Sequence, residues 1–234
     1  MNTGELRIVP LEGLPEVGRG DDLAALLGDA IERAGGLAPG DVIVVAHKVV
    51  SKAEGRLEHV EPEQHVEVVL RETRRVRRRR GDLVIAETQH GFVCASAGVD
   101  RSNASADDEV VLLPRDPDAS AARLRGALAE RFGLAPAVIV TDSFGRPWRQ
   151  GTTDVAIGVA GMSPLLDLRG RRDRRGYELE STQIAVADEL AGAAELVMGK
   201  ADGVPAALVR GYRVPAGEGS ARELVMPAER DLFP

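Results

Sequence analysis

The sequence predicts an α+β fold, mixed α/β in character, with strands and helices alternating loosely along the chain. Three observations carry that expectation. Residues 41–46 (DVIVVA), 83–86 (LVIA) and 138–141 (VIVT) are short β-branched runs of the kind that fill buried strands. Between them lie stretches with helical spacing and helical end signals: LAALLGDAIERAGG behind Asp21 and Asp22, and DASAARLRGALAERFG behind Pro117. Hydrophobic residues make up 44% of the 234, enough for a core and too many for a disordered chain.

In order, residues 5–9 read as a first strand and residues 10–22 as a Pro/Gly loop. The first helix has an acidic N-terminal turn and glycines at its end, both suited to the helix dipole and C-cap. Strand 41–46 runs into HKVVSKAEGR, where Ser51 and Lys52 fit either a phosphate contact or a solvated loop. The spacing predicts a helix over 62–80, with Arg74, Arg75 and Arg77 to Arg80 as its solvated end. After strand 83–86, Ala95, Ser96, Ala97 and Gly98 allow close backbone approach and lead to Asp100, Ser102 and Asn103. An Asx turn accounts for those polar residues equally well. A strand at 109–113 precedes the helix that Pro117 opens, with Asp118 in its first turn and Gly133 at its end. The strand at 138–141 is expected to stop at Asp142, because Ser143, Gly145 and Pro147 are turn residues. Residues 169–175 are an Arg cluster interleaved with acids, read as a structured surface loop. Residues 182–197 have helical spacing, MGKADGVP is a Gly-rich turn, and AALVRGY is a last strand. The domain spans 1–212, and 213–234 reads as a polar tail or linker, or a lid.

Composition excludes several classes. A net charge of −7 and aromatics at 3% do not suit a nucleic-acid binder, and no aromatics interleave the Arg run at 74–80. No run reaches the ~20 apolar residues that a membrane helix needs, and the N-terminus lacks the pattern of a signal peptide. Cys94 is the one cysteine, so no internal disulfide forms; it reads as a small buried residue in a reducing, cytoplasmic protein. The four histidines, His47, His59, His65 and His90, have no zinc spacing. No P-loop occurs: Gly35 and Gly40 have the spacing, but Asp41 stands where the lysine belongs. Lys48, Lys52 and Lys200 are the only lysines in an Arg-rich chain, and a compact ammonium does not do the work of a guanidinium.

The densest chemistry lies at 138–161, VIVTDSFGRPWRQGTTDVAIGVAG. A carboxylate beside a hydroxyl, Asp142 and Ser143, suits an oxygen-seeking cation such as Mg²⁺. Arg146 and Arg149 present forks that match phosphate or carboxylate oxygens. Trp148 adds a flat face, and Gly151, Thr152, Thr153 and Asp154 add small, polar positions. A strand followed by an ordinary loop, with Asp142 capping a turn, is the plainer alternative. The residues alone lead to a cytoplasmic α/β enzyme acting on metal and phosphate.

Taken together, PLEGLPEVGRGDDL, VVSKAEGR, AGVDRSNA, TDSFGRPWRQGTTDVAIGVAG, DLRGRRDRRGYELESTQIAVADELA and VMGKADGVPAALVRGY resemble the coenzyme F420-0:L-glutamate (gamma-glutamyl) ligase family. They occur in the family's order across residues 7–212. The likeness is strongest to the N-terminal ligase domain of the mycobacterial two-domain members. There, a segment like GEGSARELVMPAERDLFP leads into a flavin-binding, nitroreductase-like domain. The resemblance implies the family's own fold, with two-lobed monomers intertwined as a homodimer. It implies coenzyme F420-0, L-glutamate and GTP as substrates, two divalent cations (Mg²⁺ or Mn²⁺) and K⁺.

By position, the resemblance makes Asp100 and Asp142 ligands of one divalent cation and Ser143 a ligand of the second. It puts Leu14, Pro15, Glu16, Val17, His47, Lys52 and Asn103 at the GTP, together with Met198, Gly199, Lys200, Ala201, Asp202, Gly203, Val204 and Pro205. His47 stands where other members often carry a small polar residue. Lys200 stands where archaeal members offer an acidic metal ligand, and a protonated amine cannot ligate. From charge alone, Arg146, Arg149, Arg171 and Arg172 are candidates for holding anionic substrate. The implied reaction moves the γ-phosphoryl of GTP to a carboxylate, and glutamate's amine then displaces phosphate. A metal-dependent nucleotide phosphohydrolase and a non-catalytic coenzyme-binding domain are the competing readings.

Overall fold

A computed structural model describes residues 4–102 and 108–232. Its strands and helices are β1 (Arg7–Pro10), α1 (Leu23–Arg33), β2 (Val42–Ala46), α2 (His47–Ala53), β3 (Leu57–His59), α3 (His65–Glu72), β4 (Thr73–Arg80), β5 (Leu83–Thr88), β6 (Val93–Ala95), β7 (Glu109–Val111), α4 (Pro117–Phe132), β8 (Ala137–Arg146), β9 (Arg149–Ala160), β10 (Leu166–Asp167), β11 (Gln183–Ile184), α5 (Val186–Met198) and β12 (Ala206–Arg210). The mixture of helices and sheets is the expected α+β fold.

The main sheet has five strands in the order β1-β12-β2-β8-β9. Only β2 and β8 run parallel within it. Over their paired length, Val42–Ala46 and Ala137–Thr141, the side chains are apolar except Thr141 and buried except Ala46, as a parallel pair covered on both faces requires. Helices α4 and α5 both pack against β9, and α1 packs on α4. Gly158 lets β9 approach α4 closely: a Cβ there would run into the Pro117 carbonyl. Helix α4 ends on Gly133 in the left-handed region, the C-cap its sequence announced. A second, smaller core (Val60, Val68, Val69, Val84, Ala86, Val99, Val110, Leu112) lies under the three-stranded sheet β4-β5-β6. No helix among the described residues is long and apolar enough to cross a membrane.

Three segments depart from the sequence expectations. The helix expected over 62–80 stops at Glu72, and the Arg run is strand β4, paired antiparallel with β5. That run has no apolar periodicity to hold a helix to a core. Pairing with β5 satisfies its backbone instead, while Arg74 and Arg77 meet Glu87 across the strands. The segment after β2 is neither loop nor solvated, because α2 buries Val50, Ser51 and Lys52. Strand β8 does not stop at Asp142 but continues to Arg146, in a long hairpin with β9. The turn residues Ser143 and Gly145 are tolerated there because the second strand supplies the ladder.

The tail makes specific contacts with α4. Ser220 caps a short 3-10 turn, Ala221 is buried, and Asp118 accepts from Ala221 N (3.0 Å) and Ser220 Oγ (2.5 Å). Cys94 is buried, as expected. Burial, reinforced by the Asp142 charge, pushes its thiol up to about 12, which leaves no thiolate at neutral pH.

Candidate active site

A cleft of about 590 Å³ opens where β2 passes into α2, where β8 and β9 run side by side, and where α5 ends. These three places meet because the parallel pair β2–β8 aligns the carboxyl ends of two buried strands. The register sets Ala46 opposite Thr141, so the first residue of α2 and Asp142 emerge together. The loop after β1 and the turn after α5 close the remaining sides.

The acidic end is built on the hairpin. Ser143 lies opposite Asp154 in the β8–β9 register, and its Oγ donates to Asp154 Oδ1 at 2.6 Å. Thr141 Oγ1 donates to the other oxygen, Oδ2, at 3.1 Å. Asp154 is only 4% exposed. Burial pushes its carboxyl above the ordinary range and the charge of Asp142 pushes it further, against the pull of Ser143, Thr141 and Lys200. Asp142 itself accepts from Ser143 N at 2.8 Å. His47, 2% exposed, lies beneath with Nε2 at 3.2 Å from Asp142 Oδ1. The pair is badly aligned, and neither ring nitrogen has a hydrogen-bond partner among the described residues. Glu195 lines the cleft from α5, and burial, with the charge of Asp154, raises its carboxyl too.

The cleft's cations are lysines, set among its acids. Lys48, Lys52 and Lys200, the chain's whole complement, all line this cleft. Lys48 Nζ lies 2.8 Å from Asp100 Oδ2 and donates to Ser102 Oγ at 2.5 Å. Burial raises the Asp100 carboxyl, but the bonds from Lys48 and from Ser102 N outweigh it and the net shift is downward. Lys52 is 5% exposed and pairs with the exposed Glu16.

Most of the sequence-nominated residues therefore meet. Leu14, Pro15, Glu16, Val17, His47, Lys52, Asp142, Ser143, Met198, Gly199, Lys200, Ala201, Gly203, Val204 and Pro205 line the one cleft. Asp202 folds back beside Gly199. Asp100 approaches through its pair with Lys48. Asn103 lies outside the described residues. Arg146 and Arg149 sit at the hairpin tip, and Arg171 and Arg172 are exposed in the loop between β10 and β11. None of the four is among the groups lining the cleft.

Sequence reasoning passed over Lys48, Thr141, Glu195 and, as a site residue, Asp154. Two had a signal: Glu195 precedes Met198 and Gly199 at i+3 and i+4 on one helix face, and Lys48 shares the lysine rarity. Thr141 had none, and Asp154 none beyond its place in the polar stretch after Asp142, since their meeting needs the hairpin register.

No three His, Cys, Asp or Glu side chains gather into a metal cage among the described residues. The oxygen donors of Asp142, Ser143 and Asp154 nevertheless suit a hard cation. Mg²⁺ in particular is commonly held by one or two carboxylates, with water and substrate phosphate supplying the rest. Burial raises Asp154 most, and both its cost to the charged form and the added repulsion from Asp142 are what such a cation would relieve.

A family model described as F420-0:Gamma-glutamyl ligase matches residues 13–211. The chain is 45% identical to the coenzyme F420:L-glutamate ligase of Methanothermobacter thermautotrophicus, over 97% of this chain and 98% of that protein. It is 44% identical to the coenzyme F420:L-glutamate ligase of Methanopyrus kandleri, over 97% of each. It is 40% identical to that of Methanocaldococcus jannaschii, over 83% of this chain and 84% of that protein.

Proposed function

From the premise that the chain belongs to the F420-0:gamma-glutamyl ligase family, we propose that it joins L-glutamate to coenzyme F420-0, and adds further γ-linked glutamates, at the expense of GTP. The observation that carries this is the cleft. Its three lysines share one lining with Asp142 and Asp154, each of which accepts a hydrogen bond from Ser143, an arrangement that suits a polyphosphate bridged to divalent cations.

A free carboxylate does not form an amide, because oxide is not a leaving group. Phosphorylation of the acceptor carboxylate supplies one, and glutamate's α-amine then displaces phosphate. A free α-amine titrates near 8, so a usable fraction is deprotonated at neutral pH. The protein's share is placement. Lys48, Lys52 and Lys200 hold phosphate oxygens as point charges, while the 14–17 and 198–205 segments wrap the nucleotide. Asp142, Ser143 and Asp154 would hold one divalent cation (Mg²⁺ or Mn²⁺), and Asp100 would take part once phosphate draws Lys48 away. Such cations, with K⁺, neutralise charge on the transferring phosphoryl group. A homodimer is part of the same reading.

The test is incubation of the protein with F420-0, L-glutamate, GTP and Mn²⁺, with products followed by mass spectrometry. Stepwise gain of glutamyl units with matching GDP is expected. Asp142→Asn should abolish both while leaving the thermal melt intact, since a neutral amide poorly replaces a charged ligand of a hard cation. GDP without glutamylated product would point instead to a nucleotide phosphohydrolase.

A further inference from the structure

The β8–β9 hairpin carries Asp142, Ser143 and Asp154 midway along its length and the chain's one tryptophan at its tip. Residues 146–149 form the turn, with Arg146 paired to Arg149. Pro147 takes the second turn position and Trp148, at φ +57, the third. That is the type II pattern, in which the third residue is ordinarily glycine because a Cβ is disfavoured there. Tryptophan gains no burial in exchange, since 80% of it is exposed, whereas an indole normally hides its apolar area. Backbone strain of this kind gathers at ligand clamps.

Its surroundings point to the ligand. Arg146 and Arg149 flank it, and the Arg146 Nε is buried without a hydrogen-bond partner among the described residues. A flat ring with an adjacent anionic arm matches an exposed indole between two guanidinium groups. At a rise of ~3.4 Å per residue, the strand covers roughly 10 Å from Ser143 to Arg146, and Trp148 stands just beyond, in the turn, within the span of a coenzyme that carries its ring and its anionic arm at opposite ends.

We propose that Trp148 is the stacking platform for the deazaflavin ring of the acceptor. The acceptor then lies along the hairpin, its anionic arm between Arg146 and Arg149 and its carboxylate reaching toward the cation that Asp142, Ser143 and Asp154 would hold. This depends on the ligase reading above for the identity of the acceptor. It makes Trp148 a specificity-determining residue, remote from the reacting atoms.

Binding is measured apart from turnover, by equilibrium dialysis of F420-0 without nucleotide against the parent, Trp148→Gly and Trp148→Phe. Glycine suits the positive φ, so Trp148→Gly is expected to melt at or above the parent's temperature. It should bind F420-0 about tenfold more weakly, the scale of one lost aromatic stack. Trp148→Phe, which keeps a ring, should bind close to the parent. In the ligation assay the same loss should appear in KM for F420-0, with kcat and KM for GTP unchanged. Equal affinity for parent and Trp148→Gly overturns the stacking role, as does a parent that does not bind F420-0. A change of oligomeric state in Trp148→Gly by light scattering overturns it too, because Trp148 would then be an interface residue. A parent that binds F420-0 through Trp148 but yields no glutamylated product would overturn the ligase reading alone.

Discussion

Lysine is rare in this chain, and all three copies stand at one cleft. Arginine would bring a wider, flatter head that prefers to face one partner in two parallel bonds. The ammonium of Lys48 is compact enough to serve Asp100 and Ser102 together. At the same scale, Asp154, Asp188 and Glu195 are held toward their neutral forms. Asp188 is a clean case away from the cleft's cation candidates. Burial raises its carboxyl, and the bond it accepts from Ala156 N recovers only part of that. A raised folded-state pKa favours folding below the ordinary carboxylate value near 4, and that contribution is lost as pH rises through the folded pKa. Asp188→Asn does not titrate, so its melting temperature relative to the parent should climb between pH 4 and pH 7. A gap that stays constant or shrinks would show that the charged form is not what costs stability.

At the scale of elements, the two Arg clusters that look alike in sequence are different objects. Arg78, Arg79 and Arg80 are exposed on β4, whose other face of contacts runs through Arg77 to Glu87 and Asp231. Arg171 and Arg172 lie in the β10–β11 loop, pinned by the Arg172 to Glu178 bridge. Replacing Arg78, Arg79 and Arg80 by Gln should leave ligation kinetics alone. Replacing Arg171 and Arg172 by Gln should raise KM for F420-0 or glutamate severalfold, on the order of 1 kcal/mol for a lost charge-assisted contact. Steady-state kinetics decide it, and null effects for both sets would remove the loop from substrate binding. Arg77 is left in place because its removal would strand Glu87 half-buried beside Arg74.

Across the whole molecule, Asp118 ties three distant segments. From the first turn of α4 it accepts from Val159 N of β9 at 2.8 Å, from Ala221 N at 3.0 Å and from Ser220 Oγ at 2.5 Å. Asp118→Ala leaves those donors short of a partner, at a cost of about 3 kcal/mol. The melt should fall accordingly, and limited proteolysis should cut within 213–232 before the body unfolds. An unchanged melt with a protected tail would mean that the tail is held by its apolar contacts alone.

The sequence by itself determined the elements that carry their own signal. The buried strands β2 and β8 announce themselves by continuous β-branched runs, and α1 and α4 by acidic caps and terminal glycines, because those features act within a few residues. The nominated cleft residues were legible through motif likeness and through the rarity of lysine. Tertiary structure decided the rest, wherever the deciding partner is far along the chain. β4 is a strand because β5 pairs with it, although its own residues carry no strand alternation. Asp142 sits inside a strand because β9 extends the ladder past the turn formers. Asp154 joined the site because the hairpin register sets it against Ser143. Local preferences are weak, so long-range pairing and burial override them wherever those stabilise more.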